Sequence, residues 1–145
     1  MKSVKIGNQV WMQENLAIDD GDEGITYNPD NGQYYYTWDA AMRVAESIPG
    51  WHLPTAEEWN SVAEACGAEI VDNDGTEKLY DSLSVLPVGY CNNSSFYYVD
   101  SFAYFWSATE YCSDGAYIRA FNTKGVMGKH ISYRKYGYSV RLIKD

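Results

Sequence analysis

The chain has few of the side chains that metal sites and most catalytic sites require. Only three cysteines and two histidines occur among its 145 residues. Cys66, Cys91 and Cys112 form no CxxC pair and make an odd count, which disfavours both a disulfide framework and a structural zinc site. Cys66 fits the apolar face of a predicted helix, where a free thiol packs like a small hydrophobe. Cys91 and Cys112 fall in polar segments and could pair with each other.

Long apolar runs are also missing. No stretch approaches the roughly 18 consecutive apolar residues that a membrane-spanning helix needs, and the first residues lack the apolar core and cleavage site of a secretory signal. We therefore expect no direct membrane insertion. Either the protein stays in the cell that makes it, or a leader has been removed. The apolar content of 46% predicts one globular domain over residues 1 to 145.

Basic side chains are scarce over most of the chain. Residues 1 to 114 hold 4 basic and 19 acidic side chains, whereas residues 115 to 145 hold 7 basic and 1 acidic. This balance disfavours nucleic acid as a partner, because phosphate contacts require a dominant basic surface. The basic C-terminal segment can form a local basic face or pair with acidic side chains elsewhere.

Residue patterns that would indicate catalysis or metal binding are absent from the sequence. Neither His52 nor His130 has a neighbouring nucleophile and base, so we predict no catalytic residues and no cofactor. His52, within GWHLP, is predicted to hydrogen-bond within the scaffold. The acidic runs DDGDEG at 19 to 24 and DNDG at 72 to 75 lack the spacing of an EF-hand, so no metal site is predicted.

The first half of the chain carries signals for a hairpin and two helices. Residues 4 to 12 read as two strands around Gly7-Asn8, and residues 19 to 32 as an acidic loop. The first predicted helix begins after Thr37 and ends before Pro49. The second has a capping box of Thr55 and Glu58 and ends at residue 67.

Beyond residue 80 the pattern predicts strands. SLSVLPVGY, AYFWSAT, AYIRAFN and YSVRLI are rich in aromatic and β-branched residues, and NTKG at 122 to 125 predicts a hairpin turn. We therefore predict an α+β fold with two helices packed against an antiparallel sheet and with the N- and C-terminal strands close together. If the first strand pairs with the last, the termini close the sheet together. The predicted core is Trp11, Trp38, Trp51, Trp59, Phe105, Trp106, Val140 and Leu142.

Six ordered blocks resemble a known family. IGNQVWMQENL, YYTWDAAM, PGWHLPTAEEW, LSVLPVGY, AYFWSATE and GYSVRLIKD are similar to the Fibrobacter succinogenes major paralogous domain family, from Val4 to Asp145. The resemblance implies a C-type-lectin-like fold, related to the formylglycine-generating enzymes, in proteins of bacterial surfaces. Many members carry a cysteine pair where this chain has Ser47, or a near neighbour, and Leu142, so an oxidising location is less supported here.

The last third is also similar to the variable proteins of diversity-generating retroelements. In that group a reverse transcriptase mutates template adenines, so asparagine codons become Tyr, Ser, Cys, Asp, His, Gly and others. CNNSS at 91 to 95, YYVDS at 97 to 101, YCSDG at 111 to 115 and KHISYRKY at 129 to 136 are rich in those residues. The resemblance implies exchangeable side chains, including Cys91 and Cys112. The alternative is a set of ordinary polar loops on a lectin-like scaffold.

The function predicted from these patterns is non-catalytic recognition of a protein or glycan, at the surface of a bacterium or phage. The predicted ligand-binding residues, hereafter the display residues, are Asn92, Asn93, Tyr97, Tyr98, Tyr111, Ser113, Asp114, Tyr117, Arg119, His130, Tyr133, Arg134 and Tyr136.

Three alternatives have different requirements. A structural or adhesive surface domain would need no such display, whereas an oxidase similar to formylglycine-generating enzymes would need two neighbouring reactive cysteines. Calcium-dependent sugar binding would need an EPN or QPD triplet with a later WND, and Asn28-Pro29-Asp30 lies too early in the chain to serve.

Overall fold

The computed structural model describes residues 2–67 and 75–145, so three residues of the DNDG run, at 72 to 74, lie outside the described part. The elements in chain order are β1 (Ser3–Ile6), β2 (Gln9–Met12), β3 (Ile25–Asn28), β4 (Gln33–Tyr36), α1 (Trp38–Glu46), β5 (Trp51–His52), α2 (Ala56–Ala65), α3 (Thr76–Ser82), β6 (Tyr90–Asn92), β7 (Ser95–Tyr97), β8 (Phe102–Cys112), β9 (Gly115–Asn122), β10 (Met127–Tyr133) and β11 (Ile143–Lys144). Helices packed on antiparallel strands confirm the predicted α+β class.

The two ends of the chain share a four-stranded sheet with the order β1-β2-β11-β5. The predicted hairpin is confirmed, with Gly7 at a φ of 59° in its turn. The N- and C-terminal strands lie close together in this sheet, as predicted, and β11 pairs with β2 through Ile143 and Trp11 rather than with β1. Trp11 and Met12 are buried, so β2 takes the inner position, whereas the more exposed β1 forms the edge.

Both predicted helices form where their caps place them. The Thr37 hydroxyl accepts from the Ala40 amide at 3.3 Å at the start of α1. At α2, the Glu58 amide donates to the Thr55 hydroxyl at 3.1 Å, and the Thr55 amide donates back to the Glu58 carboxylate at 2.9 Å. These reciprocal bonds satisfy amides that a helix start otherwise leaves unpaired.

The described residues form a third helix, α3, that the sequence did not predict. It has seven residues, and its N-cap is Gly75 in the left-handed region at a φ of 87°, without a side-chain cap bond. The usual Ser, Thr, Asp or Asn signal is therefore missing. Buried Leu79 holds the helix against the core, and the Thr76 hydroxyl donates to the Gly125 carbonyl at 2.8 Å.

The sheet β10-β9-β8 confirms two predicted strands and the NTKG turn, but other strand predictions need correction. Of SLSVLPVGY, only Tyr90 lies in a strand, because Pro87 lacks an amide hydrogen for pairing. The predicted loop at 19 to 32 contains β3, which pairs with β4. Within YSVRLI only Ile143 belongs to a strand, and the residues before it run extended between the two cores.

That extended segment bonds to several different partners rather than to one strand. The Trp106 amide donates to the Ser139 carbonyl, and the Leu16 amide donates to the Val140 carbonyl. Residues 137 to 143 are all buried. The segment therefore forms isolated bridges with different neighbours instead of a ladder with one strand.

The two faces of the sheet β10-β9-β8 serve two separate cores. Trp106 and Ile118 pack toward α1, whereas Phe105 and Phe121 pack toward α2 and α3. Of the predicted core residues, only Trp51 is half-buried rather than buried, because it lies on edge strand β5. Within the described residues, no helix combines the length and apolarity needed to span a lipid bilayer.

Candidate binding surface

Tyrosines gather where the β6-β7 hairpin meets the α1-side face of the sheet. Tyr90 stacks on Tyr97 with ring centroids 5.2 Å apart and on Tyr136 at 5.8 Å, and meets Tyr104 edge-on at 5.4 Å. Tyr98 lies 6.2 Å from Tyr90. These five residues are called the tyrosine cluster. Tyr97 and Tyr98 are 43% and 57% exposed, whereas Tyr90, Tyr104 and Tyr136 are half-buried, so the cluster has a half-buried base and an exposed upper part.

Burial further disfavours ionisation of the phenols at the base of the cluster, which an ordinary tyrosine pKa already leaves neutral at pH 7. Loss of solvent raises the pKa of Tyr104 to about 12, with smaller contributions from the neighbouring Tyr98 and Tyr90. The same cause raises the pKa of Tyr90. At neutral pH these groups therefore present uncharged rings and hydroxyls.

A tight hairpin turn positions the exposed part of the cluster. Asn93 and Ser94 both have positive φ, 51° and 65°, as a two-residue type I′ turn requires. Asn92 pairs with Ser95 on either side of that turn. Tyr98, just after β7, is also left-handed at a φ of 57°, which is unusual for a bulky side chain. Backbone geometry thus fixes where the Asn and Tyr side chains emerge.

Gly89 allows this hairpin to close against the chain. A Cβ at this position would lie 2.0 Å from the Tyr97 carbonyl oxygen and 2.8 Å from the Val99 amide nitrogen. Both are backbone atoms and cannot turn aside as a side chain would. A side chain at position 89 therefore requires the hairpin to move.

We expect Gly89→Ala to displace residues 95 to 99 and to lower the melting temperature. Gly50→Ala is the matched control, because Gly50 also has positive φ, 87°, yet a Cβ there meets no atom within 4 Å. The strain of a left-handed backbone alone costs about 1 to 3 kcal/mol, so Gly89→Ala should lose more stability than Gly50→Ala. Amide chemical shifts near Tyr97 and Val99 would report the displacement. Equal melting temperatures with unmoved shifts would contradict it.

An open groove of about 910 Å³ lies beside the tyrosine cluster. It is formed by the start of α1, the β8-β9 turn and the end of β10. Among the display residues, Ser113, Asp114, Tyr133 and Arg134 line it. The remaining lining residues are Glu23, Gly24, Thr37, Asp39, Arg43 and Lys135.

Arg134 is held in place at the centre of this groove. Its Nη2 donates to Asp39 at 2.5 Å and its Nη1 to Glu110 at 3.1 Å, while its guanidinium carbon lies 4.3 Å from the Trp38 ring centroid. The hydrogen bond that Arg134 donates to the Asp39 carboxylate raises the pKa of Arg134. The guanidinium therefore presents a fixed positive group between exposed carboxylates.

Tyr133 joins the groove to the tyrosine cluster. It is 58% exposed, lines the groove, and meets Tyr136 edge-on with centroids 5.6 Å apart. One continuous surface thus contains nine of the thirteen display residues: Asn92, Asn93, Tyr97, Tyr98, Ser113, Asp114, Tyr133, Arg134 and Tyr136. We call it the display surface.

The other four display residues lie apart from this surface. Tyr111 is exposed and meets the half-buried Tyr117 edge-on at 5.7 Å. Arg119 was predicted as a display residue, but only 2% of it is exposed, because this position of β9 faces α2. His130 is exposed on β10 and also does not line the groove.

Several residues of the surface escaped sequence reasoning. Tyr90 and Tyr104 fall within segments that were predicted only as strands, yet they form the base of the tyrosine cluster. Asp39, in the first turn of α1, lines the groove although it is distant in sequence from the other groove residues. Its acidic side chain at an exposed helix start was the only available signal.

The three cysteines and His52 lie in local surroundings that the structure defines. Cys66, Cys91 and Cys112 are free thiols, so the pairing left open for Cys91 and Cys112 does not occur. His52 bonds to Asp145 at 2.6 Å and to Glu58 at 2.9 Å, as expected of a scaffold residue. Burial opposes its protonation, but these two bonds outweigh burial and raise the pKa of His52.

Oxygen-rich segments also have local roles. Asn28 accepts from the Asp30 amide at 2.9 Å, so this triplet forms the β3-β4 turn. Among the described residues, no group of three or more His, Cys, Asp or Glu is arranged to hold a metal ion.

Comparison with known families gives one match. The model of the Fibrobacter succinogenes major domain matches residues 4–144, nearly the whole chain. No curated protein matches the sequence.

Proposed function

The chain belongs to the Fibrobacter succinogenes major domain family, and from that premise we propose that it is a non-catalytic module that binds a protein or glycan through the display surface. The observation that carries the proposal is the continuity between the tyrosine cluster and the groove, which meet at Tyr133 and Tyr136. Together they offer aromatic contact area beside fixed charges.

Tyrosine suits this role because it supplies large contact area with little conformational entropy to lose. In the cluster that loss is reduced further, since Tyr90 is stacked between Tyr97 and Tyr136 before any ligand arrives. The hydroxyl groups add hydrogen-bond donors and acceptors, and Tyr is enriched among residues that dominate binding energy.

The groove favours a polar ligand of mixed charge. Arg43, Arg134 and Lys135 alternate there with Glu23, Asp39 and Asp114, so neither a polyanion nor a polycation is complementary to the whole groove. Its volume, about 910 Å³, suits a short peptide segment or an oligosaccharide. Because Arg134 is already fixed by its neighbours, it can hydrogen-bond to a ligand without first becoming ordered.

The proposal includes exchange of side chains on a constant scaffold. None of the nine residues of the display surface is a buried member of the two large cores, although Tyr136 packs against one of them. AYFWSATE and GYSVRLIKD supply Phe105, Trp106, Val140 and Leu142 to those cores. The encoding DNA tests this directly. We expect an imperfect repeat of the last codons that differs only at adenines, close to a reverse-transcriptase gene. A locus without both would refute diversification and leave a fixed binding surface.

Replacing exposed display residues together should leave stability nearly unchanged. We expect the combined variant Tyr97→Ser, Tyr98→Ser and Tyr133→Ser to melt within about 4 °C of wild type, since exposed substitutions change stability little. Tyr138→Ser is the control. That tyrosine is only 4% exposed beneath the same cluster, so its loss should lower melting clearly. Collapse of the combined variant would show that these side chains are structural.

The same combined variant tests binding. A printed glycan array and a displayed random-peptide library can be screened with wild type, and every probe retained is then measured against the variant. We expect the variant to lose those probes while Lys5→Gln, an exposed change on edge strand β1, retains them. If the variant retained all probes, the binding site would lie outside the display surface. If wild type retained no probe, a structural role would be favoured.

A non-catalytic role agrees with the placement of the cysteines. An oxidase similar to formylglycine-generating enzymes would need two neighbouring reactive thiols. Cys91 is buried in β6, whereas Cys112 is exposed at the end of β8, so the two thiols have different surroundings.

A further inference from the structure

A second concavity lies on the other face of the three-stranded sheet, between α2 and β9-β10. It has a volume of about 510 Å³. Ala56 and Asn60 of α2, Tyr117 and Arg119 of β9, and Lys129 and Ile131 of β10 line it, with His130 beside them. None of the residues in the 910 Å³ groove contributes to it. We call it the α2 cavity.

Arg119 is buried at the α2 cavity without a counter-ion. Its Nη1 donates to the Ile118 carbonyl at 2.9 Å, and its Nη2 donates to the Ala56 carbonyl at 3.2 Å and to the Asn60 side-chain oxygen at 3.0 Å. These acceptors are all neutral. The Nε of Arg119 is buried and has no hydrogen-bond partner among residues 2–67 and 75–145.

Arg119 lacks both a counter-ion and a hydrogen-bond acceptor for its Nε among the described residues. Burial lowers the pKa of Arg119, yet a guanidinium stays protonated in proteins, so a full positive charge is buried there. A buried charge is costly unless it is paired with an opposite charge and fully hydrogen-bonded. An anion at the cavity would supply the missing charge.

The other deeply buried arginine shows that this incompleteness is particular to Arg119. Arg141 is 1% exposed, but its Nε donates to Asn15 at 2.6 Å, its Nη1 to the Met12 carbonyl at 3.3 Å and its Nη2 to the Ser84 carbonyl at 3.3 Å. Each of its nitrogens has an oxygen acceptor. Arg141 therefore serves the scaffold, whereas Arg119 retains an unused donor.

The α2 cavity is cationic in a chain of net charge −9. Lys129 is exposed on β10 directly opposite Arg119 in the strand register. Like charges that face each other across a strand pair repel unless something lies between them. Among the lining residues of the cavity within the described chain, none carries a carboxylate that could do so.

We propose that the α2 cavity binds an oxyanion, such as the carboxylate, sulfate or phosphate group of a small ligand. Lys129 attracts it at the exposed mouth, and the guanidinium of Arg119 faces it at the floor. The Asn60 side-chain oxygen is engaged by Arg119, which leaves its amide nitrogen as a further donor. Tyr117 and Ile131 offer an aromatic and an apolar wall for the body of the ligand.

This site is separate from the display surface. Tyr117 and Arg119 face α2, whereas the tyrosine cluster lies on the face that packs toward α1. The proposal therefore does not depend on recognition by the tyrosines. Either site can fail experimentally without affecting the other.

Calorimetric titration with sodium sulfate at constant ionic strength tests the site, with sodium chloride as the balancing salt. We expect saturable millimolar binding, accompanied by a shift of the Arg119 Nε–H resonance in ¹⁵N spectra. Sodium phosphate and D-glucuronate distinguish an inorganic oxyanion from a sugar acid, and D-glucose is the neutral counterpart of glucuronate. Heats that do not saturate, or an unmoved Arg119 resonance with every anion, would overturn the proposal.

Two variants and a matched control separate a site from general charge attraction. Lys129→Gln should weaken sulfate binding by about three- to tenfold, because one charge-assisted contact is lost. Lys124→Gln removes the same charge from the β9-β10 turn and should have little effect. Asn60→Asp preserves shape but gives Arg119 an internal carboxylate, so it should abolish binding. Equal effects of Lys124→Gln and Lys129→Gln, or full binding by Asn60→Asp, would refute the site.

Discussion

Trp59→Ala is expected to lower the free energy of unfolding by about 3 to 5 kcal/mol, the usual cost of truncating a buried tryptophan. Trp59 is fully buried on α2, and its ring lies 4.7 Å from that of Trp11 and 5.5 Å from that of Phe105. It therefore joins the helix to both the terminal sheet and the three-stranded sheet. Removal leaves a cavity at the junction of three elements.

One feature of Trp59 partly offsets this loss. Its indole nitrogen is buried without a hydrogen-bond partner in the described part of the chain. An unsatisfied buried donor is destabilising, so truncation also removes an unfavourable group. A single unsatisfied donor costs about 1 to 3 kcal/mol. The stability lost when the ring is removed and a large cavity remains is greater than this gain.

Two variants sharpen the measurement, which is urea denaturation followed by fluorescence and circular dichroism. Trp59→Phe keeps a ring against Trp11 and removes the unpaired N–H, so it should lose clearly less stability than Trp59→Ala. Trp51→Ala removes a half-buried tryptophan from edge strand β5 and should also cost less. A Trp59→Ala protein as stable as wild type would show that α2 contributes little to the core.

Local chemistry explains which parts of the fold were predictable. The Thr55 and Glu58 capping box and the Gly7 turn each need only a few neighbouring residues, and both form as predicted. Helix α3 was missed because its cap is a glycine and its seven residues are held by tertiary contacts, such as that of Thr76 with Gly125. Short elements of this kind depend on partners distant in sequence.

The C-terminal segment shows a different limit of sequence reasoning. Apolar and β-branched residues correctly indicated that Val140 and Leu142 are buried. The same residue types could not show that the residues before Ile143 hydrogen-bond to several elements in turn. Buried strands and buried extended segments have the same composition. The pairing partner of Ile143 is likewise set by which strand, β2 or β1, is more buried.

The candidate site was predictable in composition more than in arrangement. Polar and aromatic segments identified Tyr97, Tyr98 and Tyr133, which are exposed. Alternation along β9 could not show that Arg119 is buried, because α2 covers that face of the sheet. Asp39 and Tyr90 enter the site through tertiary contacts, and an acidic side chain at a helix start does not by itself indicate a binding groove.

Arg141→Met is expected to destabilise the protein by about 3 kcal/mol or more. The guanidinium donates to the carbonyls of Met12, Leu83 and Ser84, and to the side chain of Asn15. Methionine fills much of the same volume but leaves these acceptors without a donor. An unsatisfied buried polar group costs about 1 to 3 kcal/mol, so the carbonyls of the buried residues Met12 and Leu83 account for the expected loss, whereas the exposed Ser84 adds less.

The opposing effect is relief of a buried charge. Burial lowers the pKa of Arg141 to about 10, which shows that the surroundings disfavour its charged form. Apolar replacements of buried ions can be neutral or stabilising where packing is restored and no polar partner remains. Here the partners are backbone carbonyls that cannot be replaced. Their loss of a donor should therefore outweigh the gain from removing the charge.

Chemical denaturation of three variants decides between these effects. Arg141→Lys keeps the charge and up to three donors, so it should lose less stability than Arg141→Met. Arg43→Gln removes an arginine whose exposed ion pair with Asp20 should contribute little to stability. If Arg141→Met matched Arg43→Gln, water or local rearrangement would satisfy the freed carbonyls. In that case the hydrogen bonds of Arg141 would not be what stabilises the packing of residues 83–84 against β2 and the C-terminal segment.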